Sequence, residues 1–174
     1  MWVFGYGSLM WDGWQTKHSC IRSVPAKLHG YSRTFNKASV RNWGTKDNPG
    51  PTLNLQRTEH QSCHGIAFEF ADHQRRALTN LLTQREGCTP VDLTIRLDNG
   101  AKVVASVNVY AGRNIIKTKT IDGIVSMILK ARGEKGSCVC YVKGIAEKLH
   151  EMGVEDQVVS ATWQAVQRAH GAVL

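Results

Sequence analysis

No apolar run in this 174-residue chain approaches the ~18 residues needed to cross a bilayer as a helix, so neither a membrane span nor a membrane partner is expected. The opening residues Met1-Trp2-Val3-Phe4 carry no basic lead, and Gly5 and Gly7 cut their apolar run short, so no signal peptide is expected. The phosphate-binding pattern Gly-x-x-x-x-Gly-Lys-Ser/Thr and the dinucleotide pattern Gly-x-Gly-x-x-Gly are both missing, which weakens nucleotide readings. No internal repeat or low-complexity linker interrupts the chain. With 42% hydrophobic residues it has enough apolar mass for one core, and a single domain over 1–174 is expected.

Metal-ligand spacing is lacking as well. The five cysteines (Cys20, Cys63, Cys88, Cys138, Cys140) include no Cys-x-x-Cys, and an odd number leaves one thiol over in any complete pairing. That fits reduced thiols in the cytoplasm. Cys63-His64, His18-x-Cys20 and Cys138-x-Cys140 are the nearest approaches to a ligand set, but residues two apart at a helix start do not face each other. No metal is expected. The formal charge of +8 favours anionic partners, yet the densest basic clusters, Arg75-Arg76 and Lys117-x-Lys119, are short and have no interleaved aromatics to stack bases. A small anionic substrate is therefore expected rather than nucleic acid. A basic RNA-binding module and a cysteine-dependent hydrolase pairing a thiol with a histidine such as His64 are the rival classes, and neither has a motif here.

What the chain does have is Val3-Phe4-Gly5-Tyr6-Gly7-Ser8-Leu9, an apolar strand that breaks into two glycines and a hydroxyl residue. Val3 and Phe4 suit a half-buried pleated setting. Gly5 and Gly7 permit backbone angles that side chains forbid, which would let amide N–H groups converge on an anion. From the residues alone, a plain strand-to-loop turn and a ligand-binding nest both stand.

Ala26 to Phe35 reads as a strand, Arg41 to Pro51 as a loop rich in Gly, Asn and Pro, and Cys63 to Phe70 as a further strand. Asp72 is placed to cap a helix through about Arg85, whose face is Leu78, Leu81 and Leu82. Val91–Leu97 and Lys102–Tyr110 flank Asp98-Asn99-Gly100 as a hairpin. From Thr120 the pattern turns helical, with Ile121, Ile124, Val125, Ile128 and Leu129 on one face and a break at Gly133 and Gly136. Ser137 can cap a helix to about Met152, with Gly153 as its stop, and Val158, Val159, Trp163 and Val166 give a last helix its apolar face.

Glu86 follows Leu82 by one helical turn, at the edge of the apolar stripe. An apolar setting makes a carboxylate a better proton acceptor near neutral pH. A helix-end glutamate neutralised by Arg85 or Arg76 is the plainer alternative.

Tyr6-Gly7-Ser8-Leu9 resembles the Tyr-Gly-Ser-Leu signature of the γ-glutamylcyclotransferases, especially the ChaC-type branch that acts on glutathione. Four further stretches match in order. These are Arg33-x-Phe35 with Ser39, Arg41 and Gly44; Pro51-Thr52-Leu53-Asn54-Leu55; Arg85-Glu86-Gly87; and Gly136 through Tyr141, Val142, Ile145, Leu149, Gly153 and Val154 to Asp156. The resemblance implies a mixed α+β fold, with a small strand-built barrel, flanking helices and a helical C-terminus. It implies no organic cofactor and no metal. It gives Glu86 as the catalytic proton shuttle, and Tyr6, Gly7, Ser8 and Leu9 as the substrate cradle. Arg41, as a partner for a distal carboxylate, and Tyr141, through its hydroxyl, are further candidate substrate contacts; a surface charge and a core tyrosine are the alternatives. Cys88-Thr89-Pro90 stands where many ChaC-type enzymes carry a tyrosine. Glutathione is favoured as substrate, with γ-glutamyl amino acids and γ-glutamyl-amine conjugates as alternatives, and the oligomeric state is not set by the sequence.

Overall fold

In the computed structural model, residues 1–118 and 120–171 are described; Lys119 of the Lys117-x-Lys119 cluster lies outside them. The described residues form a mixed α+β fold with a closed five-stranded barrel and four α-helices. It divides into two compact units, Met1–Ser32 with Leu55–Gly112, and Arg33–Asn54 with Arg113–Leu174.

The barrel is ordered β1-β3-β2-β4-β5, from β1 (Trp2–Gly5), β2 (Arg22–Ser39), β3 (Gly50–Glu69), β4 (Val91–Leu97) and β5 (Lys102–Val107). In the first unit, β1 runs antiparallel to β3, with Trp2 opposite Glu69 and Gly5 opposite Ile66, and parallel to β5, with Phe4 opposite Val107. A strand paired on both sides has no solvated edge, and accordingly Val3 and Phe4 are fully buried. The helix α1 (Arg75–Glu86) seals this core. Leu78 and Leu82 join Val3, Leu9, Trp14, Phe68 and Phe70 in one buried cluster.

Several sequence expectations change here. The two segments at Pro51–Leu55 and Cys63–Glu69 belong to one 20-residue strand that stops one residue short of Phe70, and its middle, from Gln56 to Ser62, is polar and mostly exposed and so carries no apolar period. Asp72 does not cap α1. It opens a 3-10 turn, and its carboxylate accepts a bond from the Met1 amino group at 2.7 Å, an ion pair that holds it below its ordinary range. Gly5 and Gly7 do not adopt positive φ; Gly7 sits at φ −124°. Gly5 is required for space, because a Cβ there would lie 2.9 Å from Leu9 Cβ.

In the second unit, α2 (Ile121–Lys130), α3 (Cys138–Glu151) and α4 (Gln157–Gly171) build the core. Thr120 and Ser137 cap α2 and α3 through their hydroxyls, accepting from the Gly123 and Cys140 amides. Ile124, Val125 and Ile128 are buried, whereas Ile121 and Leu129 at the stripe's margins are exposed. The buried face of α4 is Val159, Thr162, Ala165 and Val166; of the apolar face the sequence suggests, Val158 is exposed and Trp163 only half-buried, and Thr162 and Ala165 take their place. No helix among the described residues is long and apolar enough to cross a membrane.

One buried cation organises this unit. Arg33 is 2% exposed, and its Nη1 donates to Asp156 Oδ2 at 2.8 Å, while Asp156 Oδ1 accepts from the Val159 amide at 3.1 Å and so caps α4. Asp156→Ala would leave Arg33 buried without this carboxylate and uncap the helix, and should cost about 3 kcal/mol in denaturant unfolding. Glu134→Ala, which removes the exposed partner of Arg41, should cost no more than about 1 kcal/mol. Equal losses in the two variants would contradict this assignment.

Candidate functional site

The chain leaves β1 at Gly5 and turns through Tyr6-Gly7 into a short 3-10 turn at Ser8–Met10. The Gly7 carbonyl accepts from the Met10 amide at 3.0 Å, and the Ser8 carbonyl accepts from the amides of Trp11 and Asp12 at 3.1 and 3.0 Å. Leu9 is anchored twice, by its side chain in the first unit's core and by its carbonyl, which accepts from Trp14 Nε1 at 3.1 Å. Gly7 and Ser8 are half-buried, between the buried Tyr6 and Leu9.

Glu86 is the last residue of α1. Gly87 follows in the left-handed conformation at φ +70° and donates its amide to the Thr83 carbonyl at 2.9 Å, which ends the helix there. This fixes Glu86 in the terminal turn, with its side chain 21% exposed. Two independent ties join that helix end to the glycine turn. In the first, Arg85 donates through Nη2 to Ser8 Oγ at 3.0 Å and to Asp12 Oδ2, and through Nε to Glu86 Oε1 at 3.2 Å. In the second, the Tyr6 hydroxyl donates to the Asn108 carbonyl at 2.7 Å, and Asn108 Nδ2 donates to the Cys88 carbonyl at 2.9 Å. The first tie places Ser8, Arg85 and Glu86 in one hydrogen-bonded group. Chemically, this is a carboxylate able to accept a proton beside a turn whose backbone can receive an anion, with a permanently charged guanidinium between them.

Asp12 and Asn108 were not singled out by the sequence. Asp12 lies 73 residues from Arg85, and Asn108 sits one position past β5, so no local spacing marks either. Of the two neutralising arginines the sequence allowed for Glu86, it is Arg85 that donates to its carboxylate.

The other two candidate contacts belong to the second unit. The Tyr141 hydroxyl accepts from the Leu53 amide at 2.9 Å, and its ring packs against Trp43 with centroids 5.3 Å apart in a buried setting. Arg41 is three-quarters exposed and donates through Nε to Glu134 Oε2 at 2.9 Å. Among the described residues, no group of three or more His, Cys, Asp and Glu side chains is placed to hold a metal ion.

The family model for ChaC-like proteins matches residues 1–169. "Gamma-glutamylcyclotransferase 2-3" of Arabidopsis thaliana is 31% identical over 172 residues, covering 92% of this chain and 85% of the relative. The glutathione-specific γ-glutamylcyclotransferase of Escherichia coli (strain K12) is 29% identical over 163 residues, covering 90% of this chain and 68% of the relative. A crystal structure of a yeast γ-glutamylcyclotransferase specific to glutathione shares the fold, with a TM-score of 0.84 at 19% identity over 97% of this chain and 96% of that one.

The thiols differ sharply in setting. Cys138 is fully buried, its Sγ donates to the Pro51 carbonyl, and burial pushes its thiol far above the ordinary range. Burial also raises Cys20, whereas Cys140 is exposed. Thiolate is the reactive form, so iodoacetamide at pH 8 should modify Cys140 while Cys138 stays unmodified until the protein unfolds. Peptide mass spectrometry of native and urea-treated protein reads this directly, and alkylation of Cys138 at the rate of Cys140 in the native protein would contradict it.

Proposed function

Because the chain belongs to the ChaC-like family, we propose that it is a cytoplasmic γ-glutamylcyclotransferase of one γ-glutamylcyclotransferase-like domain, cleaving glutathione to 5-oxoproline and cysteinylglycine. The observation that carries this reading is the Glu86 carboxylate, tied through Arg85 to the glycine turn.

The chemistry asks little of the protein. A γ-glutamyl compound contains its own nucleophile, the α-amino group, and closing a five-membered ring has the large advantage of an intramolecular reaction. The α-nitrogen attacks the γ-carbonyl carbon, the new ring C–N bond forms, and the old amide C–N bond breaks to release the amine. Two protons leave the α-ammonium over the reaction and two arrive on the departing nitrogen; Glu86 carries them in turn as base and then acid. No serine or cysteine nucleophile is required. Backbone amides of Tyr6-Gly7-Ser8-Leu9 receive the substrate α-carboxylate and the developing oxyanion, a task for fixed donors that need no reorganisation. The Tyr6 and Leu9 side chains serve this by holding the turn rigid, since both are buried and both residues are hydrogen-bonded to neighbouring segments.

Glu86→Gln keeps the size of the side chain and removes the base. Release of 5-oxoproline should fall about a hundredfold or more, with the circular dichroism spectrum unchanged. Near-normal turnover in that variant would overturn the assignment of Glu86.

Substrate choice is tested by kcat/KM for glutathione beside γ-glutamylcysteine, γ-glutamylalanine and γ-glutamyl-ε-lysine. A charge-assisted contact to the distal glycine carboxylate contributes roughly 1.5 to 3 kcal/mol, so substrates without that group should lose about ten- to a hundredfold. A clear preference for one of the other three compounds would change the substrate while leaving the cyclisation intact.

A further inference from the structure

Arg85 serves two carboxylates at once. Its Nη2 donates to Asp12 Oδ2 and its Nε to Glu86 Oε1, while the same Nη2 also reaches Ser8 Oγ. Asp12 is as sheltered as Arg85, each side chain 12% exposed, and it is held in place from its other oxygen, since Oδ1 accepts from the Trp14 amide at 3.3 Å. A sheltered guanidinium with only Glu86 opposite it would direct its whole charge at that one carboxylate and favour its ionised form, making it a poorer proton acceptor. A second anion on the same guanidinium offsets that pull.

We infer that Asp12 is a positioning residue for Glu86, acting through Arg85: it takes up part of the guanidinium charge and fixes the Nη2 edge, so that Glu86 is oriented by Arg85 Nε without being locked in the ionised state. This rests on the reading of Glu86 as the proton shuttle. Charged and titratable groups placed near this helix end include Arg85 on its own helix, Asp12 from the segment after the glycine turn, and, from the chain beyond the helix, Cys88 and Tyr110. The Cys88 thiol accepts from Asn108 Nδ2 at 3.7 Å, and the Tyr110 ring lies 3.8 Å from where a Cβ on Gly87 would stand. Neither Cys88 nor Tyr110 is a carboxylate, so neither supplies the negative charge that Asp12 brings to this guanidinium.

The test follows the Glu86 carboxyl directly, by its 13C chemical shift through a pH titration of the full chain, alongside kcat and KM for 5-oxoproline release from glutathione. In Asp12→Asn the Glu86 midpoint should move to lower pH by about one unit. The acid limb of the kcat profile should follow it, kcat at neutral pH should drop about tenfold as base strength is lost, and KM should change less than kcat. Asp12→Glu, which keeps the charge, should restore most of kcat.

Because Asp12→Asn could destabilise the fold, the double variant Asp12→Asn/Arg85→Gln, which removes both charges of the pair, is compared with Arg85→Gln alone. If Asp12 acts through Arg85, its removal in that background should shift the Glu86 midpoint by less than half as much. An unchanged midpoint in Asp12→Asn, or an equal shift with and without Arg85, overturns the inference. The titration reads the coupling whether or not any γ-glutamyl compound is turned over, so failure of the proposed reaction and failure of this inference give different results.

Discussion

A sheltered guanidinium on the last turn of a helix cannot shed its charge, so the fold must bring acceptors to it. Arg85 imposes that demand here. The acceptors come from Ser8 and Asp12, residues that only a turn returning from β1 can deliver, and from Glu86 beside it. The first unit of the molecule can be understood as the scaffold that meets this requirement. β1 is paired on both sides and cannot slide, Leu9 and Trp14 root the turn in the same core as Leu78 and Leu82 of α1, and the helix stops at Gly87. Strand, turn and helix end are therefore held to one another by apolar packing underneath and by hydrogen bonds to one cation above.

Gly5 and, on β3, Gly65 serve this close assembly by being small. A Cβ on Gly65 would lie 2.3 Å from the Gly5 carbonyl, and a Cβ on Gly5 would press on Leu9, so β1 and β3 approach at a distance only two bare backbones allow. The sequence reading gave the pair Gly5 and Gly7 a conformational role. The structure assigns Gly5 a steric one, and it places Gly7 at a φ that needs no left-handed geometry.

What the sequence made legible was local. The hairpin at Asp98-Asn99-Gly100 and the hydroxyl cap at Ser137 follow from neighbours a few residues apart and stand where the pattern placed them, and α1 ends at Glu86, within one residue of the expected Arg85. What it hid depends on distant partners. Asp72 has the chemistry of a cap, but the Met1 amino group competes for its carboxylate. β3 runs unbroken through polar residues because a long barrel strand needs no apolar period where its side chains face water. At the site, Glu86 and the turn could be read from Arg85-Glu86-Gly87 and Tyr6-Gly7-Ser8-Leu9. Asp12 and Asn108 could not, because their partners lie far away in sequence and one of them bonds through a backbone carbonyl, which leaves no mark on the amino-acid pattern.

The economy of the site matches the economy of the proposed reaction. An acyl transfer that supplies its own amine nucleophile needs from the protein one group that cycles a proton and a set of fixed dipoles for the charge that develops. A cycling carboxylate has to be poised between two states, which an isolated ion pair with arginine would prevent and open solvent would leave unoriented. Placing the guanidinium between two carboxylates answers both difficulties, since the cation is neutralised by one anion while still orienting the other. Buried Cys138, by contrast, is held as a protonated thiol by the same low polarity that stabilises the helix core around it, and the proposed cyclisation never calls on a thiol. The division of labour is physical: charge is concentrated at one helix end beside a half-open turn, and the Cys138 thiol of the interior is kept neutral by burial.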